Sequence, residues 1–359
     1  MTATDNLIEL NQSVVKTKPF VSVSIIAYNQ EQYIRQALDS ILSQKTSFSF
    51  EVVIGDDDSK DKTRVICLEY VEKYPNIVRL LPPAANVGMM KNHIRTIKAC
   101  GGTYVALLES DDYWIDDFKL QKQIDALEQD PKMTACFTGR KNYHENEDRF
   151  EEVYNDIATD RFTLEDFAQD TFFHTCTMAF RKPKSDIWLD RIADMPLSDR
   201  PLYLSLLSES GGYALKLKDL CAVFRLNESS VFTPLKPVQR TKMAADMYEK
   251  LKKLFPNLGI YLNKHLNIFD YFLLRYAHKN KDKAEVKRLI QQILGRPTKP
   301  SGWLLKGKTL LHYFIWEIRT EFTEDTEFFI FLWMATKKKQ KTLWTLCKNK
   351  NKKENKKEN

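Results

Sequence analysis

The sequence has no GxGxxG and no P-loop segment after its first apolar run, and its six histidines (His93, His144, His174, His265, His278, His312) form no HExxH site. The first two absences disfavour a dinucleotide oxidoreductase and an ordinary NTPase, and the third a metalloprotease of the zincin type. The six cysteines, Cys67, Cys100, Cys136, Cys176, Cys221 and Cys347, make no CxxC pair and no close cluster. That excludes a zinc-ligating or disulfide framework and reads as scattered core thiols in a reducing compartment. No apolar run nears the roughly 20 residues that span a bilayer. The strongest late one is Phe328 to Ala335, and Met1 to Asn11, with Asp5 and Glu9, lacks the apolar stretch of a secretory signal. The expected location is the cytoplasm.

A basic field over the body is also missing. Net charge is +7, but Lys337 to Asn359 holds ten Lys against two Glu, +8, which leaves about −1 upstream. Nucleic acid is therefore not an expected partner; the tail reads either as solubilising or as a contact with an anionic membrane surface.

What is present is a globular composition, 43% hydrophobic and 29% charged over 359 residues, enough for two structural units or one enlarged domain. Five short apolar runs begin 26 to 30 residues apart: Val21 to Ala27, Phe50 to Ile54, Ile77 to Leu81, Thr103 to Leu108 and Met133 to Phe137. Segments of helical period separate the first four, as in Ile34, Leu38, Ile41, Leu42 and then Val65, Leu68, Val71. Alternation of strand and helix predicts a mainly parallel sheet covered by helices.

Past Phe137 a polar stretch, Lys141 to Asp160, reads as a solvated loop or hairpin. Thr163-Leu164-Glu165-Asp166 has the form of a capping box, Thr175 to Arg181 reads as a strand, and Tyr213 to Leu217 and Leu220 to Leu226 as the last two strands. From about Val231 helical period dominates. The expected organisation is an N-terminal extension over 1–18, a catalytic domain over 19–232, a helical region over 233–336 and a Lys/Asn-rich tail over 337–359.

In open α/β sheets ligands bind beyond the carboxyl ends of the strands. There the sequence places Tyr28-Asn29-Gln30-Glu31, Gly55-Asp56-Asp57-Asp58-Ser59 and Glu109-Ser110-Asp111-Asp112-Tyr113-Trp114. Adjacent aspartates repel and need donors or solvent, and the Asp56 to Asp58 run has a competing reading as a turn with a helix cap. Alternating acidic residues leaving an apolar strand suit a hard cation such as Mg²⁺ or Mn²⁺ that also holds phosphate, against the alternative of an exposed acidic turn.

These motifs, with Asn86-Val87-Gly88 and Asn92, resemble family 2 glycosyltransferases of the GT-A fold, a Rossmann-like α/β architecture, and the likeness extends to about Thr233. The resemblance implies an inverting transfer of sugar from a nucleotide-sugar, a UDP-sugar by expectation, to a glycan or lipid-linked acceptor in bacterial surface-polysaccharide synthesis, with Mn²⁺ or Mg²⁺. It places Tyr28, Asn29, Glu31 and Asp57 on the donor nucleotide, Asp57 taking the imide N–H of a pyrimidine, with Lys91 and Asn92 approaching the nucleotide or its phosphates. Asp111 and Asp112 become the preferred metal ligands, Glu109 standing where the family has its first aspartate. Asp199, in Ser198-Asp199-Arg200-Pro201, becomes the general base, its alternative being a helix cap. Trp114, Thr175, Cys176, Arg225 and Asn227 fall on the sugar or acceptor side, Asn227 replacing a His of many relatives. Nucleotidyl transfer, or a weakened scaffold that binds a membrane or partner, are the competing functions.

Overall fold

The computed structural model describes residues 18–82, 85–153, 160–169, 173–196, 199–226 and 235–297. Asn227 and the tail beyond 297 lie outside them, as does the N-terminal extension but for Lys18. By contact the chain divides into two compact units, Met1–Tyr276 and Ala277–Asn359.

In the first unit β1 (Val21–Ala27), α1 (Ile34–Leu42), β2 (Phe50–Asp56), α2 (Thr63–Lys73), β3 (Val78–Leu80), α3 (Met89–Ala99) and β4 (Tyr104–Glu109) follow the expected alternation. Then come β5 (Tyr113–Trp114), α4 (Lys119–Gln129), β6 (Met133–His144), β7 (Arg149–Val153), β8 (Arg161–Phe162), α5 (Leu164–Gln169), β9 (Met178–Arg181), α6 (Ile187–Asp190), α7 (Asp199–Ser210) and β10 (Tyr213–Leu226). The strands form one mixed sheet in the order β3-β2-β1-β4-β9-β6-β10-β5, with β7 on β6 and β8 on β10. β3, β2, β1 and β4 are mutually parallel, and β9 runs antiparallel between β4 and β6.

Period two explains the two-faced burial. Val53, Val105 and Leu107 join the core cluster on one face, while Val52, Ile54, Tyr104, Ala106 and Leu108 join the other with α1, α2 and α4. Both faces of a parallel sheet are covered, so its strands read as continuous apolar runs. The buried Glu51 is fully engaged: it accepts from Ser22 at 2.6 Å, Gly101 N–H at 2.8 Å and Arg79 at 2.8 Å.

Helices α8 (Pro237–Leu254) and α9 (Gly259–Lys279) follow. Met247, Tyr248, Leu251, Leu262 and Leu266 belong to the same core cluster as Phe137, Phe180 and Trp188. The second unit contains the end of α9 and α10 (Lys283–Gly295), whose N-cap Asp282 accepts from the backbone of Glu285 at 3.0 Å.

One local expectation is narrowed and two change. The polar stretch resolves into a β6–β7 hairpin with a short 3₁₀ turn over Glu145–Glu147. Thr175–Thr177 is a 3₁₀ turn instead of strand, because Thr177 returns both its N–H and its hydroxyl to the His174 carbonyl, at 3.0 and 2.7 Å. The last two strands are one bulged strand, β10, whose register against β6 slips between Lys216 and Ala222. The capping box forms with Asp166 as its acid, accepting the Thr163 N–H at 2.8 Å.

Candidate active site

β1 has β2 on one side and β4 on the other, so the chain reverses direction across the sheet at β1 and opens a crevice at the carboxyl ends of these strands. Ala27 stands opposite Asp56. The loops that follow are laced together. Asn29 N–H donates to Ser59 Oγ at 2.9 Å and Asn29 Oδ1 accepts from Lys60 N–H at 2.8 Å; Gln30 N–H reaches Thr63 Oγ1 at 2.6 Å. Glu31 N–H donates to Asp61 at 3.0 Å while Glu31 accepts from Lys62 N–H at 2.9 Å. Asn29 and Asp58 take left-handed backbone, φ 53° and 63°, the region these two residue types tolerate best after glycine. Tyr28 is 44% exposed beside them.

Asp57 is buried and ties in a third loop. Its two carboxylate oxygens accept the N–H groups of Val87 at 2.8 Å and Gly88 at 2.9 Å. Gly88 sits at φ 85°, where an L side chain is strained. Asn92, one turn into α3, is buried with its amide on the Gly55 carbonyl at 2.7 Å, and a Cβ on Gly55 would stand 2.0 Å from Thr96 Oγ1. Asn92 therefore fixes the end of β2 from behind, and Lys91 turns to solvent, 3.9 Å from Asp194. Two arginines that no motif announced complete this side: Arg64 pairs with Asp56 at 3.3 Å, and Arg95 donates to the Asp56 carbonyl at 2.6 Å and to Asn92 at 2.8 Å.

On the other side of β1 the acidic turn leaves β4. Ser110 N–H returns to the Ile26 carbonyl at 3.2 Å and Asp112 N–H to the Glu109 carbonyl at 3.1 Å. Among the described residues, ligand atoms of Glu109, Asp112 and Cys176 lie within 4.8 Å of one another. Glu109 also accepts a hydrogen bond from Thr175, while its Oε2 is buried without a partner. Burial, then the nearby charges of Asp199 and Asp111, push the Glu109 carboxyl up to about 8. Burial, then Asp111 and Glu109, push Asp112 well above its usual range, opposed by the Arg225 N–H at 2.9 Å. The Cys176 thiol is raised too, by burial and by these two carboxylates.

Asp199 opens α7, and its charge reaches both Glu109 and the buried Tyr203 hydroxyl. The structure thus brings Glu109, Asp111, Asp112, Thr175, Cys176 and Asp199 to one place. It turns Trp114 inward: the indole N–H donates to the Cys176 carbonyl at 2.9 Å and the ring lies under the Lys119 ammonium, 4.1 Å from its centroid. Arg225 faces the acidic turn from β10.

Residues 22–188 match the family model described as glycosyl transferase family 2. Over this segment the chain is similar to family 2 glycosyl transferases. An uncharacterized Mycobacterium tuberculosis protein is 33% identical over 219 residues, 59% of this chain and 60% of that one, so the match spans about three-fifths of that relative's length. The putative teichuronic acid biosynthesis glycosyltransferase TuaG of Bacillus subtilis is 29% identical over 60% of this chain and 82% of its own. The Escherichia coli UDP-Glc:alpha-D-GlcNAc-diphosphoundecaprenol beta-1,3-glucosyltransferase WfgD is 25% identical over 71% and 91%. S. aureus TarS in complex with UDP-GlcNAc superposes with a TM-score of 0.52 at 18% identity, over 77% of this chain and 81% of that one. The mannosyltransferase PcManGT of Pyrobaculum calidifontis, in complex with GDP-Man and Mn²⁺, gives 0.50 at 17%, over 86% and 89%. These likenesses establish the fold, the GT-A fold. Among the described residues no helix is long and apolar enough to cross a membrane.

Proposed function

We propose that the chain transfers a sugar from a UDP-sugar to a hydroxyl of a glycan or lipid-linked acceptor, with inversion, in cell-surface polysaccharide synthesis. The observation that carries this is the convergence of the Glu109 to Asp112 turn with Asp199 at the carboxyl ends of β1, β2 and β4. The relatives' names support the class: one is placed in teichuronic acid synthesis, and another is named for UDP-Glc and a diphosphoundecaprenol acceptor.

In this reading Tyr28, Asn29, Glu31 and Asp57 hold the nucleotide. Each Asp57 oxygen accepts one backbone N–H and keeps lone-pair capacity for an imide N–H. The carboxylates of Glu109 and Asp112, grouped beside Cys176 and including a buried oxygen that lacks a partner, fit a hard divalent cation, which we take as Mn²⁺ or Mg²⁺; Asp111 joins from beside them. Such an ion, bound with the donor, would supply electrostatic stabilisation of the departing diphosphate. Asp199 takes the proton from the acceptor hydroxyl as its oxygen attacks the anomeric carbon opposite the breaking bond. Thr175 and Cys176 line the sugar side.

Position along the membrane belongs to the same proposal. Residues 235–359 hold 28 Lys and Arg against 12 Asp and Glu, net +16, whereas residues 1–234 carry −9. We place the end of this basic region, Phe328, Phe329, Phe331, Leu332 and Trp333 ahead of Lys337, Lys338, Lys339 and Lys341, on the anionic inner face of the cell membrane. Co-sedimentation with anionic liposomes at 0.15 M salt tests this: equal pelleting of the full chain and of one ending at Thr326 refutes it. The activity is tested by release of nucleoside diphosphate from a panel of nucleotide-sugars and by calorimetric titration with UDP and Mn²⁺. A protein that binds neither and releases nothing is not a transferase.

A further inference from the structure

Arg225 meets the acidic turn in an unexpected way. Its backbone N–H donates to Asp112 Oδ1 at 2.9 Å, and its Nε donates to the Asp111 carbonyl at 2.9 Å. One residue of β10 thus grips two consecutive residues of the turn across more than a hundred positions of sequence. The guanidinium is itself held. Nη2 donates to Gln36 Oε1 at 2.6 Å and Nη1 lies 3.5 Å from Glu145 Oε1. Glu145 Oε2 in turn accepts from the Tyr33 hydroxyl at 2.8 Å. The rings of Tyr33, Tyr143 and Tyr113 surround the guanidinium, with centroids 4.6, 5.4 and 5.5 Å from it, and Arg225 is only 9% exposed.

We propose that Arg225, locked by Glu145 at the tip of the β6–β7 hairpin, is the positioning residue that sets the geometry of the Glu109 to Asp112 turn. The proposal rests on the reading of that turn as the metal and diphosphate site. Carboxylates packed together repel, and a turn carrying three of them spreads unless its backbone is pinned from outside. Arg225 pins it by a backbone N–H on one residue and a guanidinium on the carbonyl of the other. A planar guanidinium with five donors can serve Asp111, Gln36 and Glu145 at once, and aromatic faces stabilise its charge. Lysine offers one point charge and no such fork. Because Tyr33 and Gln36 belong to the segment that follows the donor loop, the same network ties both halves of the crevice to the hairpin. The hairpin is then a strut of the site and not a solvated excursion.

The test uses the full chain and the variants Arg225→Lys, Glu145→Gln and Tyr33→Phe. Hydrogen–deuterium exchange reads the backbone of residues 109–114, and calorimetry reads Mn²⁺ affinity in the presence of UDP. Arg225→Lys is expected to speed exchange in 109–114 with the rest of the sheet unchanged, and to weaken Mn²⁺ by about 10- to 100-fold, the range for outer partners of metal ligands. Glu145→Gln moves both readouts the same way by less, and the double variant falls short of the sum, because both act through one network. In turnover kcat falls more than KM rises. Unchanged exchange and Mn²⁺ affinity in Arg225→Lys and Glu145→Gln overturn the proposal. Should Arg225→Lys fail to fold, Glu145→Gln decides alone, since Glu145 is half-exposed in the turn between β6 and β7, outside the buried core. If exchange responds but the wild type transfers no sugar, the clamp stands and the transferase reading falls.

Discussion

The loops ending β1 and β2 and the turn ending β4 are neighbours on one sheet, built on opposite electrostatic rules. In the first region acidic side chains meet N–H donors: Asp57 takes two, and Asp61 takes those of Glu31 and Thr63. Burial works to raise the Asp61 carboxyl, yet these bonds and the Thr63 side chain hold it below the usual carboxylate range. In the second region carboxylates meet carboxylates, and Glu109 and Asp112 are both driven upward. In the first region the Asp57 and Asp61 carboxylates are answered within the chain. In the second, the chain's own positive charge comes from Arg225, and the proposed cation would supply the rest.

The comparison yields measurements of decreasing size. On the proposed assignment of Asp199 as the base, Asp199→Asn should lower turnover ~10² to 10⁴-fold with UDP affinity nearly unchanged. Parallel loss of donor binding would instead make Asp199 a cap of α7. Asp112→Ala should cost at least ~10²-fold in turnover and abolish Mn²⁺-dependent UDP binding; retention of both would remove the acidic turn from the reaction. On the satisfied side Asp57→Ala frees the loop carrying Val87 and Gly88. UDP affinity should fall by about tenfold, one lost charged hydrogen-bond set, with kcat nearly kept.

A pH series separates the two regions by stability. The folded protein holds the Glu109 proton up to about 8, whereas the unfolded chain releases it near the ordinary carboxylate value. Between those values the native state binds the extra proton, so in chelator stability falls as pH rises from about 5 to 8. Thermal melts should drop by several degrees over that window, Mn²⁺ should restore them, and Glu109→Gln should flatten the Glu109 part of the slope. A slope equal in wild type and Glu109→Gln assigns it elsewhere. Smallest of all, Lys91→Ala should change turnover and UDP affinity by less than about twofold, since its ammonium lies at the surface beside Asp194. A tenfold loss would bring Lys91 back to the donor phosphates.

Much of the site was legible because strand ends are written locally. Short apolar runs mark β1, β2 and β4, and the residues at or just after their ends, Asp57, Glu109, Asp111 and Asp112, need only that placement to be noticed. The capping box at Thr163 and the hairpin in the polar stretch are also short-range events. Trp114 was legible as a neighbour of the acidic turn but not in its direction: β5 pairs with β10, which sends the indole inward to the Cys176 carbonyl. Cys176 has no partner near it in sequence, and it reaches Glu109 and Asp112 only because β9 lies beside β4.

Sequence by itself determined the α/β alternation, the acidic chemistry at the strand ends and the concentration of basic charge toward the C-terminus, since each depends on residue type and on spacing of a few residues. Tertiary structure decided which polar groups satisfy one another. Asp57 is answered by amides thirty residues away, Asp112 by an N–H 113 residues away, and Arg225 by a hairpin tip 80 residues before it. Such pairings are fixed by strand order and register, and a hydrogen bond worth having only where water is excluded leaves no trace in the local pattern that precedes folding.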